Sequence, residues 1–356
     1  MRFLQLFLLV FWFGFWGALQ GKPLELTTKD FQSPPPRIIR TCCSFGSDLK
    51  VAAVPTKKVS QISSLSNLGP HHYLGNEKEG NGIIYTKHGG FIDLGHLRDQ
   101  ADWTAYLYQL IRRSLGQEAL ALRLGHEGGI RTLNLCLPTE LDSTDAILLA
   151  GRIAYDLSVW HEIATWFGAS SIPLVTERFS SFSVEDAYSN LLGVSLGMQA
   201  LQSNLPYEEA MTQLIAQNFA KLEAVPTEAD TYAAMEQVRD IWWTRDKKLP
   251  SPKIMLQRQL EVYSRVRPLL IPGADTGNPA DYELTVPETT HSGLPLTELY
   301  QLVIKPNYKF PLREIFPAQT RRVVTQHDFE ILLHQVAKEW HHAQLQYTMP
   351  RWYYQN

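Results

Sequence analysis

The sequence predicts an α+β fold that is predominantly α-helical, a helical body with a small antiparallel sheet or hairpin. Three observations predict it. Long stretches opening at Asp93, Ser143 and Thr325 carry apolar residues at helical spacing behind a capping residue. The segment Ala119–Cys136 alternates apolar and polar residues around a glycine-rich turn, the pattern of two paired strands. No internal repeat and no low-complexity tract interrupts the chain.

Taken in order, Met1-Arg2 precedes an apolar run from Phe3 to Leu19, the pattern of a secretory signal over residues 1–21. Ala18 and Gln20 occupy the −3 and −1 positions of a cleavage site. An uncleaved N-terminal anchor is the alternative, because the run approaches the roughly 17 residues that a membrane span needs. Residues 22–37, with Pro34-Pro35-Pro36, read as an extended linker, and 38–356 as one globular domain. Within it, Ile38 to Gly90 reads as loops with one or two short strands.

Asp93 caps a helix to about Leu115, stopped by Gly116. A hairpin follows, with strands Ala119–Leu124 and Ile130–Cys136. Ser143 caps a second helix, Thr144 to Phe167, closed by Gly168. Ser183 to Asp186 matches a capping box for a third helix reaching Gln202. Pro206, Thr227 and Pro252 begin or flank three more helical stretches. Leu270 to Pro317 wraps the body with one strand at Tyr300–Ile304, and Thr325 opens a last amphipathic helix to about Gln346.

With 33 basic and 36 acidic residues the formal charge is −3, and removing residues 1–21, which hold Arg2 and no acid, makes it −4. That balance gives no electrostatic reason to expect nucleic acid or an anionic membrane surface as partner. After signal cleavage no further segment is long and apolar enough to span a membrane. Three cysteines, Cys42, Cys43 and Cys136, are too few for a disulfide scaffold. One of the first two can pair with Cys136 and leave a reactive thiol, or all three are small buried hydrophobes.

The residues that can carry chemistry fall into groups. In Trp160-His161-Glu162-Ile163-Ala164-Thr165-Trp166, a His-Glu pair sits on a helix as in zinc proteases, but Thr165 stands where a second His would complete that motif. The alternative is a polar cluster satisfied by Thr165 and the two indoles. Asp93, His96, Arg98, Asp99 and Asp102 form a second group, in which His96 and Asp99 share a helical face. Glu185 and Asp186, with Ser189 and Asn190, form a third. Cys42-Cys43 with His71-His72 could make a thiolate nucleophile, while His334, His341 and His342 read as residues of an amphipathic helix.

Several of these blocks, in one order, also carry a family likeness. Cys42-Cys43-Ser44-Phe45-Gly46, Asn81-Gly82-Ile83-Ile84-Tyr85-Thr86, Gly89-Gly90-Phe91-Ile92-Asp93 with His96-Leu97-Arg98-Asp99, Trp160 to Trp166, and Phe182 to Gly193 resemble the bacterial family known as domain of unknown function 4056. The resemblance runs from about residue 36 to 250, leaving a C-terminal wrap and helix over 251–356. It implies a secreted or periplasmic protein and supplies no activity.

The expected function is a metal-dependent hydrolase acting outside the cytoplasm on a small-molecule or envelope substrate. Zinc is the expected cofactor, with His96 and His161 as ligands, a third ligand from Asp99 or Glu185, and Glu162 as general base. This requires His96 to lie within about 10 Å of His161. One alternative is an acyl transferase or amidase with Cys42 or Cys43 as nucleophile and His72, His96 or His161 as base. The other is a non-enzymatic envelope structural or binding protein.

Overall fold

The computed structural model describes residues 33–36, 39–40, 45–46, 62–117, 120–169, 178, 180–244, 254–273, 277–318, 320 and 322–348. The signal at 1–21, most of the linker at 22–37, and Cys42 and Cys43 lie outside them. The fold is α+β and mostly helical, with small antiparallel sheets of two or three strands.

Strands β1 (Ile83–Thr86) and β2 (Gly90–Asp93) form a tight hairpin that delivers the chain into α1 (Leu94–Ser114). As expected, Asp93 is the cap. Its carboxylate accepts from the backbone N–H of Gly95 at 2.6 Å and of His96 at 3.2 Å, which fixes His96 in the first turn. Strands β3 (Leu120–His126) and β4 (Gly129–Leu135) are the expected hairpin. The sequence did not reveal that β9 (Tyr300–Pro306) returns to pair with β4 as the third strand of that sheet.

Helix α2 (Ser143–Trp166) begins one residue earlier than predicted. Its cap is Asp142, which accepts from Thr144 and Asp145 N–H, both at 2.8 Å, while the Ser143 hydroxyl bonds to Tyr108. Helix α3 (Asp186–Gln202) also departs from its prediction. The Ser183 hydroxyl donates to Glu185 and makes no cap, so residues 184–185 form a turn ahead of the helix.

Helices α4 (Tyr207–Lys221) and α5 (Glu228–Gln237) follow Pro206 and the Thr227 capping box as expected. The helix expected after Pro252 is absent among the described residues. Strand β6 (Ile254–Met255) pairs there with β5 (Trp243–Thr244), and beyond it Leu256 and Gln257 N–H donate to the Trp242 carbonyl and Gln259 N–H to Phe182. These amides bond to other segments, so helical periodicity alone misled. Short strands β7 (Arg265–Val266) and β8 (Leu284–Thr285) pair in the wrap, the four-residue helix α6 (Leu312–Ile315) follows β9, and α7 (Phe329–Thr348) closes the described chain behind a Thr325–Asp328 capping box.

Helices α1, α2 and α3 pack mutually and form the largest buried apolar cluster, with the three-stranded sheet and α7 laid against it. Helix α3 approaches α1 closely because it has no side chain at the crossing. A Cβ built on Gly193 would lie 2.0 Å from the Leu97 carbonyl oxygen, and one on Gly197 would lie 3.0 Å from Ala101 Cα. This contact brings the start of α3 beside His96. Trp160 of α2 is fully buried, stacks on Phe310 and Phe329, and donates its indole N–H to the Glu127 carbonyl at 2.8 Å, pinning the β3–β4 turn to the helix.

Candidate metal centre

Three side chains from three elements converge at the α1–α2–α3 junction. His96 of α1, Glu162 of α2 and Asp186 of α3 each offer a ligand atom, and those atoms lie within 4.8 Å of one another. All three residues are buried. His96 Nδ1 stands 3.4 Å from Asp186 Oδ1 without forming a hydrogen bond, and Glu162 Oε1 has no hydrogen-bond partner among the described residues.

The loop between α2 and α3 aims the two carboxylates. Glu162 Oε2 accepts from Phe182 N–H at 2.6 Å, and Asp186 Oδ2 accepts from Ser183 N–H at 2.8 Å. One oxygen of each carboxylate is thus tied to the main chain, and Glu162 Oε1 and Asp186 Oδ1 are left for the centre. Phe182 adopts φ +54°, a left-handed conformation that a bulky residue rarely takes. Such local strain often accompanies a functional constraint, and here it orients two successive amides toward two acids.

The charge balance of this cluster is uneven. Burial first, then the neighbouring carboxylates Glu162, Glu185 and Asp93, push the Asp186 carboxyl well above its ordinary range. Burial likewise pushes Glu185 up to about 8, and its Oε1 is a second acceptor with no partner among the described residues. Asp156 provides the contrast within the same helix bundle. That equally buried carboxylate takes hydrogen bonds from Arg152, Tyr263 and Tyr300. Asp156 is satisfied as a structural acid must be, whereas the acids around His96 are short of donors.

The residues named from the sequence sort differently in space. His96 and His161 are neighbours, with ring centroids 6.1 Å apart, inside the distance the metal expectation requires. His161 is not in the ligand cluster. Its Nδ1 pairs with Glu127 Oε1 at 2.6 Å, and Glu127 in turn holds Arg131 at 2.5 Å. Glu162, expected as the base, lies among the ligand atoms, and Asp186 occupies the position expected for Asp99 or Glu185. Cys136 is exposed and has no disulfide to a described residue, and Cys43 lies outside them.

Neither indole satisfies the His-Glu pair: Trp160 donates to the Glu127 carbonyl and Trp166 to Glu339, and the Thr165 hydroxyl has no partner among the described residues. Glu127, which the sequence does not single out, is the partner of His161. Its one local signal was a charged residue inside Gly125-His126-Glu127-Gly128-Gly129. Gly128 has φ +58°, and a Cβ there would lie 2.6 Å from the Ala164 Cβ, so the turn can press Glu127 against α2 only with glycine.

Asp99 is not in the ligand cluster; it lines a cavity with His96 and His161 and is held in a buried ion network. Arg40 binds Asp99 at 3.0 Å, Asp102 at 2.9 Å and Glu79 at 2.6 Å, and His71 reaches Asp102 at 3.0 Å. Burial raises Asp99 to about 7, although Arg40 opposes the shift, and burial also holds the Arg98 guanidinium down at about 10. The network fastens the segment at Arg40 to α1. Arg40→Met should lower stability by about 3–5 kcal/mol, the cost of leaving buried carboxylates without their cation. Chemical denaturation would measure it, and a loss under about 1 kcal/mol would assign the network a negligible role.

Among the described residues no helix is long and apolar enough to cross a membrane. No curated protein and no solved structure matches the chain. A family model described as "Protein of unknown function (DUF4056)" matches residues 31–272, a span that includes His96, Glu127, His161, Glu162 and Asp186. The chain belongs to that family, and its candidate centre lies wholly within the family's own segment.

Proposed function

We propose that the protein is a metal-dependent hydrolase in which His96, Glu162 and Asp186 hold one divalent ion and His161 is the general base. The observation that carries this reading is the set of buried acids short of donors around an imidazole nitrogen with no hydrogen bond. One neutral imidazole and two carboxylates balance a dication, and zinc suits that mixed nitrogen and oxygen set. When bound, such an ion polarises an acyl oxygen and makes a nearby water more acidic.

The chain's own groups do the rest. His161, oriented by Glu127, accepts a proton as the water oxygen attacks the substrate's carbonyl carbon. The bond from that carbon to the leaving nitrogen or oxygen then breaks, and the leaving atom takes the proton back from His161. Products are a carboxylic acid and an amine or alcohol. We further propose that this happens outside the cytoplasm, on an envelope or small-molecule substrate; the apolar run at the N-terminus and the family resemblance support that placement.

The test compares purified wild type with Asp186→Asn and His161→Gln, using bound metal and hydrolysis of a simple acyl ester as readouts. The expected result is about one zinc per chain in the wild type and loss of tight binding in Asp186→Asn. His161→Gln should keep its metal and lose on the order of 100-fold or more in rate, the size of a general-base contribution. A wild type that binds no zinc, manganese or iron would end the proposal.

A further inference from the structure

A small cavity adjoins the candidate centre. It encloses about 230 Å³, and Gln259 shares it with Glu162 and Asp186, with Tyr155, Ser158 and Asn190 on the same wall. A space of that size takes one small group of a ligand and not a whole drug-sized molecule.

Gln259 gives this cavity a fixed acceptor. The side chain is 8 % exposed, yet its Oε1 has no hydrogen-bond partner among the described residues. The amide cannot be turned over, because Nε2 donates to the Arg267 carbonyl at 2.9 Å and an oxygen placed there would face another oxygen. The main chain is held as well. Gln259 N–H donates to the Phe182 carbonyl at 3.1 Å, and Phe182 N–H is the group that steadies Glu162. An acceptor buried this way at a cavity wall is costly unless a donor reaches it from outside the fold.

The rest of the wall narrows what that donor is. Both hydroxyls are committed within the protein, Tyr155 to the Val262 carbonyl at 2.5 Å and Ser158 to the Tyr155 carbonyl at 2.7 Å. Glu162 Oε1 is a second acceptor without a partner among the described residues, and Asn190 adds an amide that can both donate and accept. No lysine, arginine or histidine lines the cavity among the described residues. Open acceptors without a basic side chain suit a ligand that brings several N–H donors and a positive charge, and they offer no cation to pair with an anionic one.

We propose that this cavity binds the primary ammonium group of a ligand, with Gln259 Oε1 as its acceptor. The assignment goes beyond the metal reading and does not depend on it, because the acceptor it names lies outside the proposed ligand set. Where both hold, the substrate carries an amino group beside the acyl group that is cut.

The test is an NMR titration of the full chain, stripped of metal, with methylammonium. Acetamide supplies N–H donors without charge, and tetramethylammonium supplies charge without N–H donors. Methylammonium should bind, and the other two should bind at least about 10-fold more weakly. Gln259→Met keeps the length of the side chain without its oxygen and should weaken methylammonium about 10-fold, equivalent to about 1.4 kcal/mol. Gln259→Leu takes its place if that chain does not fold. Gln259→Glu keeps an acceptor and loses the N–H given to Arg267, so it should bind methylammonium at least as well as wild type to within about twofold. A residue needed only for its bond to Arg267 would fail in both variants alike. Unchanged affinity in Gln259→Met, an equal loss in Gln259→Glu, or either control binding as well as methylammonium overturns the assignment, and so does a wild type that binds none of the three. Repeating the titration with zinc separates the two proposals. Methylammonium should still bind the zinc-loaded chain, and its displacement by zinc would make the cavity part of the metal site and overturn the assignment. A wild type that takes up no zinc counts against the metal reading alone.

Discussion

Zinc added at pH 8 should raise the melting temperature of metal-free protein by several degrees, and the same addition at pH 5 should change it little. The sign follows from the acids at the centre. Asp186 is raised well above its ordinary range and Glu185 to about 8, in each case by burial first and by neighbouring carboxylates as well. Both therefore keep their protons in the folded chain at pH values where the unfolded chain has released them. Between its unfolded value, about pH 4, and about pH 8, Glu185 binds more proton in the folded state, so stability without metal falls as pH rises, by up to about 1.4 kcal/mol per unit, and Asp186 acts in the same direction.

A dication supplies the positive charge that protons supply at lower pH. At 100 times its dissociation constant it adds about 2.7 kcal/mol, or about 4 °C for a chain of this size, and protons compete it away at pH 5. Asp186→Asn sharpens the test. It removes one repelling charge, so the metal-free variant should be more stable than wild type at pH 8, yet it should not respond to zinc. A wild type that ignores zinc, manganese and iron at pH 8, or an Asp186→Asn chain that is destabilised and still responds, would contradict this account.

The second large effect lies at the helix crossing. Glycine to alanine inside a helix ordinarily stabilises by about 1 kcal/mol. At Gly193 the sign should reverse, because the new methyl would stand 2.0 Å from the Leu97 carbonyl oxygen, a backbone atom that cannot turn aside. Helices α1 and α3 would have to part in the middle of the main core. We expect a loss of about 3 kcal/mol or more, of the order seen for overpacked cores, together with weakened metal binding because Asp186 moves away from His96.

Gly151→Ala is the control. Its methyl would meet the Met198 sulfur at 2.5 Å, the end of a flexible side chain that can rotate, so its cost should be small. Equal melting temperatures for Gly193→Ala and wild type would show that the helices are not held as close as described.

Much of the fold was legible because its signals are local. Asp93 ahead of a periodic run, the alternation on either side of Gly128-Gly129, and the Thr227 and Thr325 caps each act within a few residues, and each element formed where expected. The expectations that failed depended on distant partners. Residues 254–259 have helical character, but their amides bond to Trp242 and Phe182, and β9 finds β4 across more than 150 residues. The centre divides in the same way. The three helices that supply it could be named from their patterns, and His96 and Glu162 with them. The choice of Asp186 over Glu185, and the pairing of His161 with Glu127, turn on which way a loop and a hairpin point. Spacing along one helix cannot report that.

The left-handed turn at Phe182 has a consequence for how such a centre is inherited. The groups that steady Glu162 and Asp186 are peptide N–H donors of residues 182 and 183, which every amino acid but proline possesses. The supporting shell is therefore written in the path of the chain and not in the identity of its side chains. A substitution at 182 or 183 other than proline should therefore leave both donors in place so long as the bend survives.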